Sequence, residues 1–260
     1  MSKPIYLIDL DDNVFQTKHK LEMQNKKAFK TAALDRQLKP ISFLTHCQSN
    51  FIDWLLKNAD VIPVTARGTE ETSRVDIKFN SWKIMTHGAV ITNPNGNPDS
   101  DWKNHISKEL SRYQDVLHNK QQILTKAFND NNVKAWARIN YEYNDLAIYL
   151  VTKHTDRMLL HEMYDIADKL DKKYGTDGFY IHRNGNNIAW IPKCIQKGLA
   201  VEFLLNKLKT EEKGIPVIGF GDSISDHTFL KQCDWFGMPK SGQITSLLNC
   251  QIAKLEQKND

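Results

Sequence analysis

Three carboxylates crowd the end of a short apolar run. Ile5-Tyr6-Leu7-Ile8 is followed by Asp9, Asp11 and Asp12. Four apolar residues bounded by polar ones read as a buried strand. Asp9 then falls at its carboxyl end, where open α/β sheets place their ligands. Carboxylates this close repel one another unless a positive charge compensates, and a divalent cation held by oxygen ligands is the usual solution. Taken alone, an acidic turn after an edge strand explains the Asp-x-Asp string equally well.

Two further apolar runs end in the same manner. Val61-Ile62-Pro63-Val64 stops at Thr65-Ala66-Arg67-Gly68, and Ile215 to Phe220 stops at Gly221-Asp222-Ser223-Ile224-Ser225-Asp226. A lone lysine, Lys197, opens an apolar helix marked by Leu199, Phe203, Leu204 and Leu208. If the strands are parallel neighbours, these groups converge on one crevice. Asp9 and Asp222 then offer two carboxylates to one cation. Mg2+ suits such a set because it takes few protein carboxylates and keeps waters and phosphate oxygens. A hydroxyl at Thr65 and a charge at Lys197 are what phosphoryl oxygens need.

Asp9-Leu10-Asp11-Asp12, Thr65, Lys197 and Gly221-Asp222-x-x-x-Asp226, in this order, resemble the four motifs of the haloacid dehalogenase superfamily. The long segment between the second and third motifs falls where one branch carries an α/β cap, the branch of sucrose-phosphate and trehalose-phosphate phosphatases. The resemblance implies a Rossmann-like parallel core at residues 1–92 and 192–260, with an α+β cap at 93–191. It implies an Mg2+-dependent phosphatase acting on a small phosphorylated metabolite, a sugar phosphate, through an aspartyl-phosphate. Asp9 is then the nucleophile and Asp11 the acid and base. Asp9, the backbone carbonyl of Asp11 and Asp222 hold Mg2+. Thr65, Ala66, Arg67, Lys197 and His87 line the phosphate or substrate. Asp226 orients Lys197 or a metal-bound water, and Ser223 lies near the metal. A phosphotransferase or mutase shares all four motifs, and a phospho-ligand-binding protein without catalysis is the alternative of another class. The chain departs from the family's pattern at Asn13 (often Thr), Ala66 (commonly Gly) and His87 (often Asn).

The elements that must position these residues are legible in part. Residues 16–35 read as a loop and helix. Phe51 to Leu56 has helical spacing, and short strands are expected at 82–85 and 89–91. The turn formers Asn93 to Asp99 mark a boundary. Ile106, Leu110, Tyr113, Leu117, Leu124 and Phe128 suggest one long amphipathic helix. Strands follow at 133–139 and 146–151. Thr155 is a candidate cap for a helix ending near Gly175. Strands at 179–181 and 188–190 flank Asn184-Gly185-Asn186, a good hairpin turn. In this segment Arg138, His182, Arg183 and Asn187 are candidates for substrate contact. Trp136 and Trp190 fit core packing or stacking on a sugar ring. The tail from Leu255 is expected to fray.

A chain of 260 residues with a formal net charge of +4 and 40% hydrophobic residues reads as an ordinary globular protein of one or two domains. No basic stretch interleaved with aromatics asks for nucleic acid. Lys18, Lys20, Lys26, Lys27 and Lys30 read as a solvated face. Cys47, Cys194, Cys233 and Cys250 lack C-x-x-C spacing, which argues against zinc and disulfides and for buried, reduced thiols. No signal peptide is evident, and no apolar run approaches the roughly 20 residues that cross a bilayer. The expectation is a cytoplasmic protein without a membrane or nucleic-acid partner, monomeric or homodimeric.

Overall fold

The computed structural model describes residues 3–185, 187–209 and 214–256. By contact the chain forms two compact units. The first runs up to Trp102 and resumes at Gln196; the second is Lys103–Ile195.

The first unit opens with strand β1 (Ile5–Ile8), whose Ile5, Leu7 and Ile8 are buried. Strand β2 (Gln16–Thr17) and helix α1 (Lys18–Met23) follow, with Thr17 capping α1 by accepting from the Lys20 amide at 3.4 Å. Strands β3 (Lys30–Leu34) and β4 (Pro40–Leu44) come next, in a small antiparallel sheet of order β2-β4-β3. The loop and helix expected over 16–35 are thus a strand, a short helix and a second strand. Residues 30–34 and 40–44 show no clean apolar alternation. Their folding is driven instead by Ala32, Ala33 and Leu44, which enter the core around Phe15, Ile52 and Leu55.

Helix α2 (His46–Asn58) starts on a reciprocal cap. The Gln48 amide donates to Thr45 Oγ1 at 3.2 Å, and the Thr45 amide donates to Gln48 Oε1 at 2.9 Å. Then come β5 (Asp60–Pro63), the short α3 (Thr69–Thr72), β6 (Lys83–Met85) and β7 (Val90–Thr92). The turn-rich Asn93–Asp99 stretch stays with the first unit. Its end is tied to β7, since the Asp99 amide donates to Ile91 O at 2.9 Å.

Helix α4 (Ser100–Leu110) leads out of the first unit. A 3-10 turn at Ser111–Tyr113 separates it from α5 (Gln114–Asp130), so the single long helix expected from the apolar stripe is two. Strands β8 (Ala135–Glu142) and β9 (Leu146–His154), helix α6 (Leu160–Tyr174), and strands β10 (Phe179–Asn184) and β11 (Asn187–Pro192) complete the second unit. Its sheet is antiparallel, in the order β10-β11-β9-β8. Asp156, not Thr155, caps the turn before α6: its carboxylate accepts from the Met158 amide at 2.8 Å, while the Thr155 hydroxyl donates to Lys134 O. Of the expected hairpin turn, Asn186 lies outside the described residues.

Back in the first unit, α7 (Lys197–Lys209), β12 (Val217–Phe220), the short α8 (His227–Leu230), β13 (Trp235–Gly237) and α9 (Gln243–Glu256) follow. The expected frayed tail falls partly on 257–260, which lie outside the described residues; Leu255 and Glu256 end α9. The main sheet is parallel in the order β13-β12-β1-β5, so β1 is flanked on both sides. An isolated parallel bridge from Val64 to Ile84 carries the pattern to β6. All four cysteines are free thiols, but Cys47 and Cys250 are exposed rather than buried, because α2 and α9 turn them to solvent.

Candidate active site

The Asp9 backbone continues β1. Its amide donates to Phe220 O at 2.9 Å, and the Val64 amide donates to Ile8 O at 2.8 Å. Parallel pairing therefore aligns the ends of three strands. Asp9, Thr65 and the Gly221–Asp226 turn meet at one sheet edge, as parallel strand neighbours must. The turn after Asp9 is held from both sides. Asp12 adopts a left-handed backbone (φ 62°), Asn13 Nδ2 donates to Asp9 O at 3.0 Å, and Gln48 Nε2 donates to Asn13 O at 3.4 Å. Asn13 thus closes the turn through its amide.

Lys197 is the hub. Its Nζ donates to Asp9 Oδ1 and to Asp226 Oδ1, each at 2.6 Å, with all three side chains buried. Asp226 is saturated on its other oxygen: Oδ2 accepts from the Asp222 amide (3.1 Å), the Ser223 amide (2.9 Å) and Ser223 Oγ (2.8 Å). Only glycine fits at 221, since a Cβ there would lie 2.6 Å from the Asp226 side chain.

Two carboxylates sharing one ammonium divide the charge unevenly. Burial drives the Asp9 carboxyl well above its ordinary range; Lys197 pulls it back, and Asp226 and Asp11 push it up further. Burial also works against ionised Asp226, but Lys197 and the Ser223 hydrogen bonds outweigh it and hold that carboxyl low. Burial disfavours the Lys197 charge, and the two carboxylates overcome it, raising the ammonium above the usual lysine range.

Asp222 is the least compensated of the set. Burial, then Asp226 and Asp12, push its carboxyl up to about 7, against the opposing pull of Lys197 and Lys20. Asp9, Asp222 and Asp226 can each bring one carboxylate oxygen within 4.8 Å of the others. A half-buried carboxylate short of positive charge, beside another at the same edge, is an all-oxygen donor set suited to a hard divalent cation. The residues present therefore fit Mg2+.

Asp11 is placed differently. Its side chain is half exposed and lies in a two-pronged clasp, with Arg67 Nε donating to Oδ2 at 2.7 Å and Nη2 to Oδ1 at 2.8 Å. The guanidinium also lies over the Phe15 ring, 5.0 Å from its centre. Burial works against the Arg67 charge, but Asp11 outweighs it and raises the group above its ordinary value. Asp12 pairs with Lys20. The Thr65 hydroxyl accepts from the Arg67 amide at 3.1 Å, and Ala66 sits half-buried between them.

His87 lies in a left-handed stretch with Thr86 (φ 53°), His87 (φ 59°) and Gly88 (φ 103°). That stretch is bonded to the Thr65 segment: the His87 amide donates to Thr65 O at 3.1 Å and the Thr86 amide to Arg67 O at 2.8 Å. The sequence points to each of these residues separately. It does not reveal the Arg67–Asp11 clasp, whose partners come from two loops, nor the Thr86–Gly88 tie to Thr65 and Arg67. A Thr-His-Gly string signals no left-handed turn, because a β-branched residue rarely adopts φ > 0.

In the second unit, strand register sorts the candidates by face. Arg138, Val151, Ala189 and His182 form one row across the sheet, and Asn187 lies two residues along on the same face. Trp190 is on the opposite face, its Nε1 donating to the Asp171 carboxylate of α6 at 3.0 Å beneath Lys120 of α5. Trp190 is a core residue. Arg183 also turns to α6, pairing with Asp168 and lying over Tyr164. Trp136 is partly exposed with the Arg138 guanidinium 5.4 Å from its ring centre.

No protein-family model matches the chain, and no curated protein sequence matches it. Solved structures do. The fold is that of the haloacid dehalogenase-like hydrolases, a parallel α/β core with an inserted α+β unit. One such hydrolase from Bacteroides thetaiotaomicron aligns over 95% of this chain and 99% of its own, at 11% identity and a TM-score of 0.51. Among the particular proteins, the sucrose-phosphatase of Synechocystis, solved with sucrose and phosphate, aligns over 98% of this chain and 99% of its own, at 13% identity and a TM-score of 0.54. A trehalose-6-phosphate phosphatase related protein aligns over 98% and 100%, at 15% identity and a TM-score of 0.52.

Proposed function

We infer that this protein is an Mg2+-dependent phosphatase that hydrolyses a small phosphorylated metabolite, a sugar phosphate, with Asp9 as nucleophile. The observation that carries the reading is the buried Asp9–Lys197–Asp226 triad beside Asp222, at the carboxyl end of the central strand. A binding protein has no need of a nucleophile and a proton donor two residues apart. Sugar phosphates are favoured because two of the solved relatives are named for them.

Asp9 attacks phosphorus, and the bond from phosphorus to the leaving oxygen breaks as Asp11 delivers a proton to that oxygen. Asp11 then takes a proton from the incoming water, which attacks phosphorus and releases Asp9. To donate, Asp11 must hold its proton outside the Arg67 clasp, because a carboxylate gripped by two N–H groups is acceptor-only. Lys197 and Thr65 hold the phosphoryl oxygens. Asp9, the Asp11 carbonyl and Asp222 would hold Mg2+, which supplies charge neutralisation for those oxygens. Ser223 and Asp226 keep Lys197 aimed. Ala66 and His87 border the phosphate, and Arg138, His182 and Asn187 lie on one face of the sheet in the unit proposed as the substrate-selecting cap, Lys103–Ile195. The four free thiols fit a reducing, cytoplasmic setting.

The test is Asp9→Asn with an aryl phosphate and a panel of sugar phosphates. Phosphate release is expected to vanish while the far-UV circular dichroism is unchanged; wild-type turnover in this variant would remove Asp9 as nucleophile. Release that persists after EDTA treatment would remove the metal.

A further inference from the structure

Trp102 is the last residue of the first unit before the chain leaves it, and it lies in none of the four motifs. Its side chain is nonetheless buried and doubly engaged. The indole Nε1 donates to Gly88 O at 3.0 Å, and the ring lies 5.0 Å from that of Phe203 on α7. Gly88 ends the left-handed stretch whose amides bond Thr65 O and Arg67 O. Helix α7 begins with Lys197. One indole therefore touches the carriers of the second and third motifs together.

The turn it grips is costly. Three successive residues have φ > 0, one of them the β-branched Thr86. Left-handed backbone is strained for non-glycine residues and persists only where the surroundings over-determine it. Gly88 also has no room for a side chain. A Cβ there would lie 2.5 Å from Gln196 O, the residue before Lys197. The start of α4 is fixed in turn: Asp99 Oδ1 accepts from the Trp102 amide at 3.0 Å, and Lys207 of α7 donates to Asp99 Oδ2 at 2.6 Å.

We propose that Trp102 is a positioning residue for the phosphate-binding segment, acting through its N–H on Gly88 O to hold the Thr86–Gly88 turn and, through that turn, Thr65 and Arg67. The inference rests on the phosphatase reading for its consequence in catalysis, but not for its structural content.

Two variants and two measurements test it. Trp102→Phe keeps an aromatic ring against Phe203 and removes the donor. Phe203→Leu loosens the same contact and keeps the donor. In Trp102→Phe the amides of Thr86 and His87 should exchange hydrogen at least about tenfold faster, with the amide of Leu7 unchanged. With an aryl phosphate its kcat should fall about tenfold with KM within about twofold, the pattern of misplaced groups rather than lost binding. Phe203→Leu should lower Tm and leave kcat at the wild-type value. Unchanged exchange at Thr86 and His87 in Trp102→Phe would overturn the proposal, whatever the activity. So would equal losses of kcat in the two variants. Faster exchange in a protein whose wild type releases no phosphate would sustain the positioning role and sink the phosphatase reading alone.

Discussion

Asp11 is a salt-bridge partner in the structure, and the proposed phosphatase reaction would make it a proton carrier as well. On that reading, the Arg67 clasp fixes where its carboxylate waits between turnovers. A lysine at position 67 could reach the same carboxylate but could not present two parallel N–H groups to it or stack on Phe15. Arg67→Lys is therefore expected to fold normally and to lose on the order of tenfold to a hundredfold in kcat/KM, a part of the roughly 10²–10⁴-fold that general acid–base catalysis supplies. Steady-state kinetics with an aryl phosphate check this. The convergence of Asp9, Asp222, Asp226 and Lys197 was legible in the sequence because each follows an apolar run within a few residues or opens a helix. The clasp was not legible. Arg67 and Asp11 sit 56 positions apart on separate loops, and nothing local fixes either side chain. Arg183 fails in the same way: strand alternation left two faces open to it, and only the pairing with Ile188 turns it to α6.

Among the elements, buried parallel strands and amphipathic helices were the readable ones, because burial on two faces or one leaves a distinct period. Strands β3 and β4 escaped since lysines and small residues surround them and their buried side chains are Ala32, Ala33, Ser42 and Leu44, with a single large apolar residue among them. The break between α4 and α5 escaped because the apolar stripe runs on through it, Tyr113 included. The start of α4 offers a test of how an element end responds to acid. Burial pushes the Asp99 carboxyl up, but the Lys207 hydrogen bond and the Trp102 amide outweigh it, and the net shift is downward. A carboxyl depressed in the folded state adds stability above its unfolded pKa and loses it as pH falls through the folded value. Asp99→Asn keeps a capping side chain and removes the titration. Its Tm should lie below that of the wild type at pH 7, and the gap should close as pH drops below about 4. Thermal unfolding across that range checks the sign; a gap that widens in acid would refute it.

For the molecule as a whole, a cation that fits Asp9 and Asp222 couples local chemistry to global stability. A ligand that binds only the folded state adds about 2.7 kcal/mol at a hundredfold excess over its Kd. Mg2+ should therefore raise Tm by several degrees. Asp222→Asn should abolish that rise, as read by calorimetry with and without the ion. The position of Gly88 carries a different consequence. Both passages between the units come back to it, Trp102 through its indole and Gln196 through its carbonyl. The pair that makes the site, Asp9 and Lys197, is separated by 188 positions. Closing so long a loop in an unfolded chain is slow, and its entropic cost grows with length. The sheet of Lys103–Ile195 is built from two hairpins joined along β9 and β11, pairings much closer in sequence than Asp9 and Lys197. Once formed, it shortens the path from Trp102 to Gln196 to the span between its own ends. Contact order thus favours an assembly in which the inserted unit condenses early and the contact between Lys197 and Asp9, 188 positions apart, forms late.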